Sequence, residues 1–204
     1  MTKNFCLVTV SSESFIPDTL VMIHSFLKHN PWFTRIQGDI VIIHDSVPDS
    51  LRTLADVFDR VTWLQVSSEL KQTIADLCEG VPELRLHTRS PRFFSLDLFR
   101  LSGYARVLFC DSDLLFLKSV EDLCLSADFE EGDGCLLFAA GDRYRYRETP
   151  IDADTFTPAT DGSGADAIER TFNAGFMLMD GRSMGPDQYE RVLAFMDVGR
   201  WKKI

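Results

Sequence analysis

Residues 106–116 read Arg-Val-Leu-Phe-Cys-Asp-Ser-Asp-Leu-Leu-Phe, and this stretch constrains the chain more than any other. A short apolar run that ends in polar residues is the pattern of a strand covered on both faces in a parallel sheet. Asp111 and Asp113 then fall at the carboxyl end of that strand, where open α/β sheets place their ligands. Two carboxylates one residue apart repel each other and lose hydration there, a cost that a divalent cation removes. Hard oxygen ligands suit Mg2+ or Mn2+, which bind one or two carboxylates and share substrate phosphates. The same spacing also serves an Asx-type turn in which both aspartates cap the next segment. On spacing alone the two readings balance, and the neighbouring sequence has to decide.

Taken in order, residues 5–10 are β-branched and apolar and should form the first strand. A polar loop at 11–14 follows, and Phe15 stands exposed before Pro17. Residues 17–29 carry helical spacing, with Pro17 in the first turn and Asn30-Pro31 as the stop. Strands are expected at 38–45 and 61–66 with a helix at 48–58 between them, giving β-α-β-α-β and right-handed crossovers. Helical spacing recurs at 67–79 and 93–101, and 119–123 reads as a short helix capped by Ser119. A buried strand at 135–140 precedes a long polar loop at 141–169, which opens with Arg143, Tyr144, Arg145, Tyr146 and Arg147. A loop of this length inside a domain is a lid, a binding loop or a disordered segment. Residues 176–179 resume a strand and 186–195 a helix, and there is no internal repeat.

At 204 residues, a single α/β domain is the first expectation. Lys+Arg 21 against Asp+Glu 31 gives a formal charge of −10, which argues against nucleic acid as a partner. No apolar run approaches the roughly 20 residues needed to span a bilayer, so no transmembrane segment is expected. The first residues lack the features of a secretory signal. Five scattered cysteines with no CxxC read as reduced thiols, and the expected location is cytoplasmic.

Three stretches together carry a resemblance. They are Leu-Val-Thr-Val-Ser-Ser-Glu-Ser-Phe at 7–15, Tyr-Ala-Arg-Val-Leu-Phe-Cys-Asp-Ser-Asp at 104–113, and Phe-Asn-Ala-Gly at 172–175. In this combination the chain resembles the retaining glycosyltransferases of family 8, the glycogenin-like and galactosyltransferase-like group. The resemblance covers nearly the whole sequence. It implies a single GT-A (Rossmann-like) nucleotide-diphospho-sugar transferase domain over 1–204, α/β in class, with a mostly parallel central sheet flanked by helices. It further implies that Asp111 and Asp113 hold a metal, Mn2+ or Mg2+, bridging the diphosphate of a UDP-sugar. UDP-glucose or UDP-galactose is the donor it points to. The backbone of Val10, Ser11 and Ser12 would line the nucleoside pocket, with Asp111 and Ser112 also at the nucleotide. Phe15 would stack on uracil, at a place where the family often has tyrosine. Asn173, Ala174 and Gly175 would touch the donor sugar.

Each of these roles also makes chemical sense without the family. A ring stacked on a base contributes about 1–3 kcal/mol. Gly175 lets backbone approach a ligand, and Asn173 offers both a donor and an acceptor to hydroxyls. A departing diphosphate gains negative charge, which a metal stabilises as a Lewis acid. Retention comes from the resemblance only, and no catalytic nucleophile is assigned. The acceptor stays open among glycan, lipid-linked glycan and protein.

The sequence departs from the family pattern in two places. A Lys or Arg usually precedes the metal strand, aimed at the phosphates, and the matching position here is Ser95. Arg92, three residues earlier, shares its face and substitutes for it, or else is a solvated helix-start residue. Family members also continue with a further donor-sugar loop and a histidine that completes the metal site. Here His24, His29, His44 and His87 all lie upstream, so the chain is expected to lack that C-terminal part. A nucleotide-binding scaffold without turnover is therefore the alternative. A haloacid-dehalogenase-type phosphohydrolase fits less well, because its Asp-X-Asp stands near the N-terminus. Asp152-Ala153-Asp154 follows no strand and reads as solvated loop. His44-Asp45 reads as a strand end entering a turn, and Cys110 as a packed core thiol. His24 and His29, five apart, do not share a helical face.

Overall fold

The computed structural model describes residues 3–81, 90–125, 137–141 and 172–201. Most of the long loop, His87, Cys135 and both acids of Asp152-Ala153-Asp154 lie outside them. Six strands form one sheet: β1 (Lys3–Val10), β2 (Asp39–His44), β3 (Val61–Gln65), β4 (Tyr104–Cys110), β5 (Leu137–Gly141) and β6 (Phe172–Asp180). Their order is β3-β2-β1-β4-β6-β5. The pairings β1–β2, β2–β3 and β1–β4 are parallel, whereas β4–β6 and β5–β6 are antiparallel. From β1 the chain builds outward through β2 and β3, then crosses back to lay β4 on the other side of β1. That makes the gap between β1 and β4 the point at which strand order reverses.

The central strands are buried on both faces, so their side chains alternate between two cores. Phe5, Leu7, Ile40, Ile42 and Leu108 meet one set of helices, α1 (Ile16–His29) and α2 (Pro31–Arg35). There Met22 and Ile23 join a cluster in which the rings of Phe5, Phe26, Trp32 and Phe33 meet edge-to-face, with centroids 5.0–6.3 Å apart. On the opposite face Cys6, Val8, Val41, Ile43, Val107 and Phe109 meet α4 (Ser68–Gly80) and α6 (Pro186–Phe195). Between those helices lies a 3-10 helix, Ser90–Arg100. Each fully buried side chain of this size contributes about 1.5–3 kcal/mol, so the sheet order is fixed by its two apolar faces.

Tyr104 opens β4 at the amino edge of the sheet, where its hydroxyl donates to Asp39 at 2.9 Å. Arg60 pairs with the other oxygen of Asp39 at 2.5 Å. The tyrosine of the Tyr-Ala-Arg-Val motif is thus a clamp across the end of the sheet away from Asp111. Asn30 is wholly buried and does more than stop α1. Its amide donates to the Phe26 carbonyl at 2.9 Å, and its oxygen accepts from Trp32 Nε1 at 3.0 Å and from the Val120 N–H at 2.8 Å. Ser25 Oγ accepts the Phe116 N–H at 3.1 Å. These bonds sew the segment that follows Asp113 onto the α1–α2 corner.

Several expected elements differ in detail. The helix at 48–58 divides into α3 (Asp49–Arg52) and a 3-10 turn, Thr53–Val57. Pro31 starts α2 as well as ending α1, because its fixed φ suits a first helical position. The helical spacing at 93–101 belongs to the 3-10 helix Ser90–Arg100, since apolar residues three apart satisfy either pitch. The short helix is α5 (Glu121–Cys124), with Val120 at its cap position, although Ser119 Oγ still accepts the Glu121 N–H at 3.1 Å. A last short helix, α7 (Val198–Trp201), follows α6. Among the described residues no helix is long and apolar enough to cross a membrane.

Candidate functional site

The carboxyl ends of β1 and β4 lie side by side. Val8 pairs with Phe109, and two residues further along each strand stand Val10 and Asp111. Ligands of open α/β sheets settle in the crevice at this reversal point, outside the strand ends. Both N-terminal stretches singled out by the sequence converge there. Ser11 N–H donates to the Ile43 carbonyl at 2.9 Å, which ties the exit of β1 to the end of β2. Its hydroxyl is buried and lies 2.7 Å from Thr19 Oγ1, so Ser11 offers the crevice its backbone and not its side chain. Ser12 and Phe15 are exposed, Phe15 to 46%, and the Phe15 N–H donates to the Ser12 carbonyl at 2.9 Å. The ring of Phe15 therefore projects from a short turn at the rim.

Strand β6 runs antiparallel beside β4 and brings the third stretch in. The Asp111 N–H donates to the Gly175 carbonyl at 2.8 Å, so residues 64 apart in sequence meet at the backbone. On its other side β6 pairs with β5, but the register jumps: Ala139 faces Met177 and Ala140 faces Asn173. While β5 advances one residue β6 advances four, and residues 174–176 bulge beside Asp111. Bulges of this kind re-aim a strand next to functional crevices.

Asp111, Ser112 and Asp113 leave β4 in a turn closed by Leu114 N–H to the Asp111 carbonyl at 3.4 Å. The turn and the presentation of both carboxylates are thus the same local structure. Asp111 and Asp113 are open to solvent and Ser112 is half-buried. Packing at the strand ends nonetheless desolvates the Asp111 carboxyl and raises its pKa, and the Asp113 carboxylate raises it further. The Arg92 guanidinium opposes both and stabilises the ionised form. Arg92 thus acts on Asp111 from the start of the 3-10 helix, on the face where Phe109 also points. Ser95 donates its hydroxyl to the Arg92 carbonyl at 2.9 Å, which engages the side chain within the helix.

An Asp111 carboxyl pushed toward protonation by burial and then by the neighbouring Asp113 carboxylate suits a hard divalent cation, which would relieve both costs. Among the described residues no group of three or more His, Cys, Asp or Glu side chains joins it. Cys110 is fully buried, and desolvation raises its thiol pKa far from reactivity. Cys78, Cys110 and Cys124 are free thiols. Asp45 pairs with Lys71, and its carbonyl accepts from Gln65. His44 is buried edge-on against Trp63, ring centroids 5.4 Å apart.

Sequence reasoning passed over Asp97, the buried carboxylate in the middle of the 3-10 helix. Its signal was a lone acid inside an otherwise apolar helical stretch. The partners that explain it stand 30 and 92 positions away.

The model of glycosyl transferase family 8 matches residues 6–196. The fold is similar to that of the galactosyltransferase LgtC solved with donor and acceptor sugar analogues, at TM-score 0.61 and 15% identity over 98% of this chain and 60% of that one. Mouse xyloside xylosyltransferase 1 aligns over the whole chain and 74% of its own, at TM-score 0.52 and 13% identity. Core-mannan synthase A from Aspergillus fumigatus, solved in an Mn/GDP form, aligns at TM-score 0.55 and 8% identity over 97% of this chain and 64% of its own. At these identities the likeness is one of fold. The chain thus spans about 60% of the length of LgtC. Among curated proteins no sequence matches.

Proposed function

Because the chain belongs to glycosyl transferase family 8, we propose that it binds a UDP-hexose at the β1–β4 crevice and transfers the hexose to a hydroxyl of an acceptor. UDP-glucose and UDP-galactose are the donors proposed, with retention at the anomeric carbon. The acceptor is a glycan, a lipid-linked glycan or a protein. The observation that carries the reading is the junction of Asp111 with Gly175, 2.8 Å between backbone atoms, at the strand-order reversal. It puts the carboxylate pair and the Asn-Ala-Gly segment on one crevice.

Within it, Asp111 and Asp113 would hold Mn2+ or Mg2+. When bound, that ion supplies Lewis-acid stabilisation of the diphosphate leaving group. The chain's own groups bind and orient. The backbone of Val10, Ser11 and Ser12 walls the nucleoside, and Phe15 offers a ring face to uracil. Ser112 lies at the nucleotide, and Arg92, three residues before the position where the family carries a Lys or Arg, meets phosphate charge in its stead. Ser95, occupying that matching position, supports Arg92 through its carbonyl. Asn173, Ala174 and Gly175 line the hexose.

Thermal unfolding with UDP tests this, comparing Mn2+ with EDTA in wild type and in Asp111→Asn/Asp113→Asn. Ligand at about 100 times its dissociation constant adds about 2.7 kcal/mol. With about 2.1 cal/mol/K of unfolding entropy per residue over 204 residues, that is a shift of about 6 °C. A metal-dependent shift that the double variant loses is expected. No shift in wild type, or an equal shift in the variant, refutes the site. A second reading, nucleotide binding without turnover, is favoured by one observation: only two carboxylates gather among the described residues. Hydrolysis or transfer from radiolabelled UDP-glucose and UDP-galactose separates the two.

A further inference from the structure

Asp97 is entirely buried, and four donor contacts converge on its two oxygens. Oδ2 accepts the Ser67 N–H at 2.6 Å and Arg100 Nη1 at 2.9 Å. Oδ1 accepts the Tyr189 hydroxyl at 2.6 Å and lies 3.2 Å from Ser67 Oγ. Ser67 Oγ stands 2.6 Å from the Tyr189 hydroxyl and accepts the Leu70 N–H at 3.0 Å as the cap of α4. Arg100 Nη1 also donates to the Gln65 carbonyl at 3.1 Å. One carboxylate therefore joins the 3-10 helix to the end of β3, the first turn of α4 and the body of α6. Burying a carboxylate costs several kcal/mol, and an apolar group of similar volume often serves stability as well or better. Its presence calls for a role in fixing geometry.

The helix that contains it is the one whose geometry is unusual. Eleven residues, Ser90–Arg100, keep 3-10 pitch, whereas such runs seldom pass three or four residues. A 3-10 helix differs from an α-helix by about 20° and about 0.5 Å per residue. Over the five residues from Asp97 back to Arg92, a change of pitch would rotate Arg92 by about 100° and move it by about 2.5 Å. Either displacement would change the distance over which the Arg92 charge acts on Asp111.

We propose that the Asp97–Ser67–Tyr189 hub is a positioning site: it pins the carboxyl-terminal half of the 3-10 helix so that Arg92, at the other end, faces Asp111 and the incoming diphosphate. The inference rests on the nucleotide-sugar reading above. Asp97 acts through Arg92 and touches no ligand itself.

A double-mutant cycle tests it. Dissociation constants for UDP and for uridine, each with Mn2+, are measured by calorimetry on wild type, Tyr189→Phe, Arg92→Ala and the pair. Ser67→Ala serves as a second lever on the hub. Tyr189→Phe keeps the buried ring and removes one donor, so the fold survives while the helix loosens. The expected result is a UDP loss of about fivefold or more that uridine does not share, and that largely disappears in the Arg92→Ala background. Equal losses for UDP and uridine, losses that multiply across the pair, or no loss at all each overturn the positioning role. Wild type that binds no UDP overturns the nucleotide reading itself, and this inference with it.

Discussion

Phe15→Ala separates ligand contact from architecture more cleanly than any other change at the site. The backbone of Phe15 is engaged: its N–H donates to the Ser12 carbonyl at 2.9 Å, and its carbonyl accepts Thr19 Oγ1 at 2.8 Å. Neither bond uses the ring, which belongs to neither core, and the residue as a whole is 46% exposed. Alanine keeps both bonds, so stability should stay within about 0.5 kcal/mol and the midpoint within about 1 °C. If the ring stacks on uracil, its loss removes about 1–3 kcal/mol, or about 5- to 150-fold in affinity. The assay is calorimetric titration of UDP and of pyrophosphate, each with Mn2+, into wild type and variant. UDP should weaken by that factor while pyrophosphate stays within about twofold, and Phe15→Tyr should restore UDP. Equal weakening of both ligands, or unchanged UDP affinity, would refute the stacking argument.

Two further expectations concern the frame around the site. At Gly181 an added Cβ would stand 1.6 Å from the Tyr104 carbonyl oxygen, a backbone atom that cannot step aside. Gly181→Ala should therefore cost about 3 kcal/mol or more, about 7 °C in midpoint, by thermal unfolding. Gly103→Ala meets no atom within 4 Å and has only its φ of +84° to resist it, so it should cost about 1–2 kcal/mol. The reverse ranking would sink the steric reasoning. His44 has its pKa lowered, first by burial and then by Arg52, and its Nδ1 has no hydrogen-bond partner among the described residues. The folded state thus disfavours the imidazolium: stability is full above the unfolded pKa of about 6.5 and declines as pH falls toward the folded value. Between about pH 7.5 and about pH 5.5 the midpoint should drop further in wild type than in His44→Leu. Identical slopes would show that His44 contributes nothing to acid sensitivity.

The parallel half of the sheet was legible because β1, β2 and β4 are covered on both faces, so each reads as an apolar run with little alternation. Their carboxyl ends could be located from Ser11, Asp45 and Asp111, where the apolar runs stop. The direction of β6 was hidden, since Phe176–Met179 reads the same in either sense and no residue type marks an antiparallel partner. The pitch of Ser90–Arg100 was hidden for a related reason: Phe93, Leu96 and Phe99 are three apart, a spacing that both helical forms accept. Asp97 escaped the sequence reading, because Ser67 and Tyr189 become its neighbours only once α4 and α6 pack on the same face. Asn30 reads from sequence as a stop signal, yet its amide oxygen collects Trp32, Ser119 and Val120.

What the sequence left apart, the fold joins through main-chain atoms, and this shapes how the candidate site responds to change. Asp111 meets Gly175 through its own N–H, and Ser11 meets Ile43 in the same way. Neither contact depends on which side chain Asp111 or Ser11 carries. Charge and position are therefore separable at Asp111: asparagine removes the carboxylate while leaving the bond to β6 and the turn to Leu114 in place. Arg92 is the opposite case. Its charge acts on Asp111 through space, from a helix held at its far end by side chains, Asp97 with Ser67 and Tyr189. Substitutions in that hub should move a charge without removing it. A loss of UDP affinity from Asp111→Asn therefore reports on ionic binding at a fixed address, and a loss from Tyr189→Phe reports on the address itself.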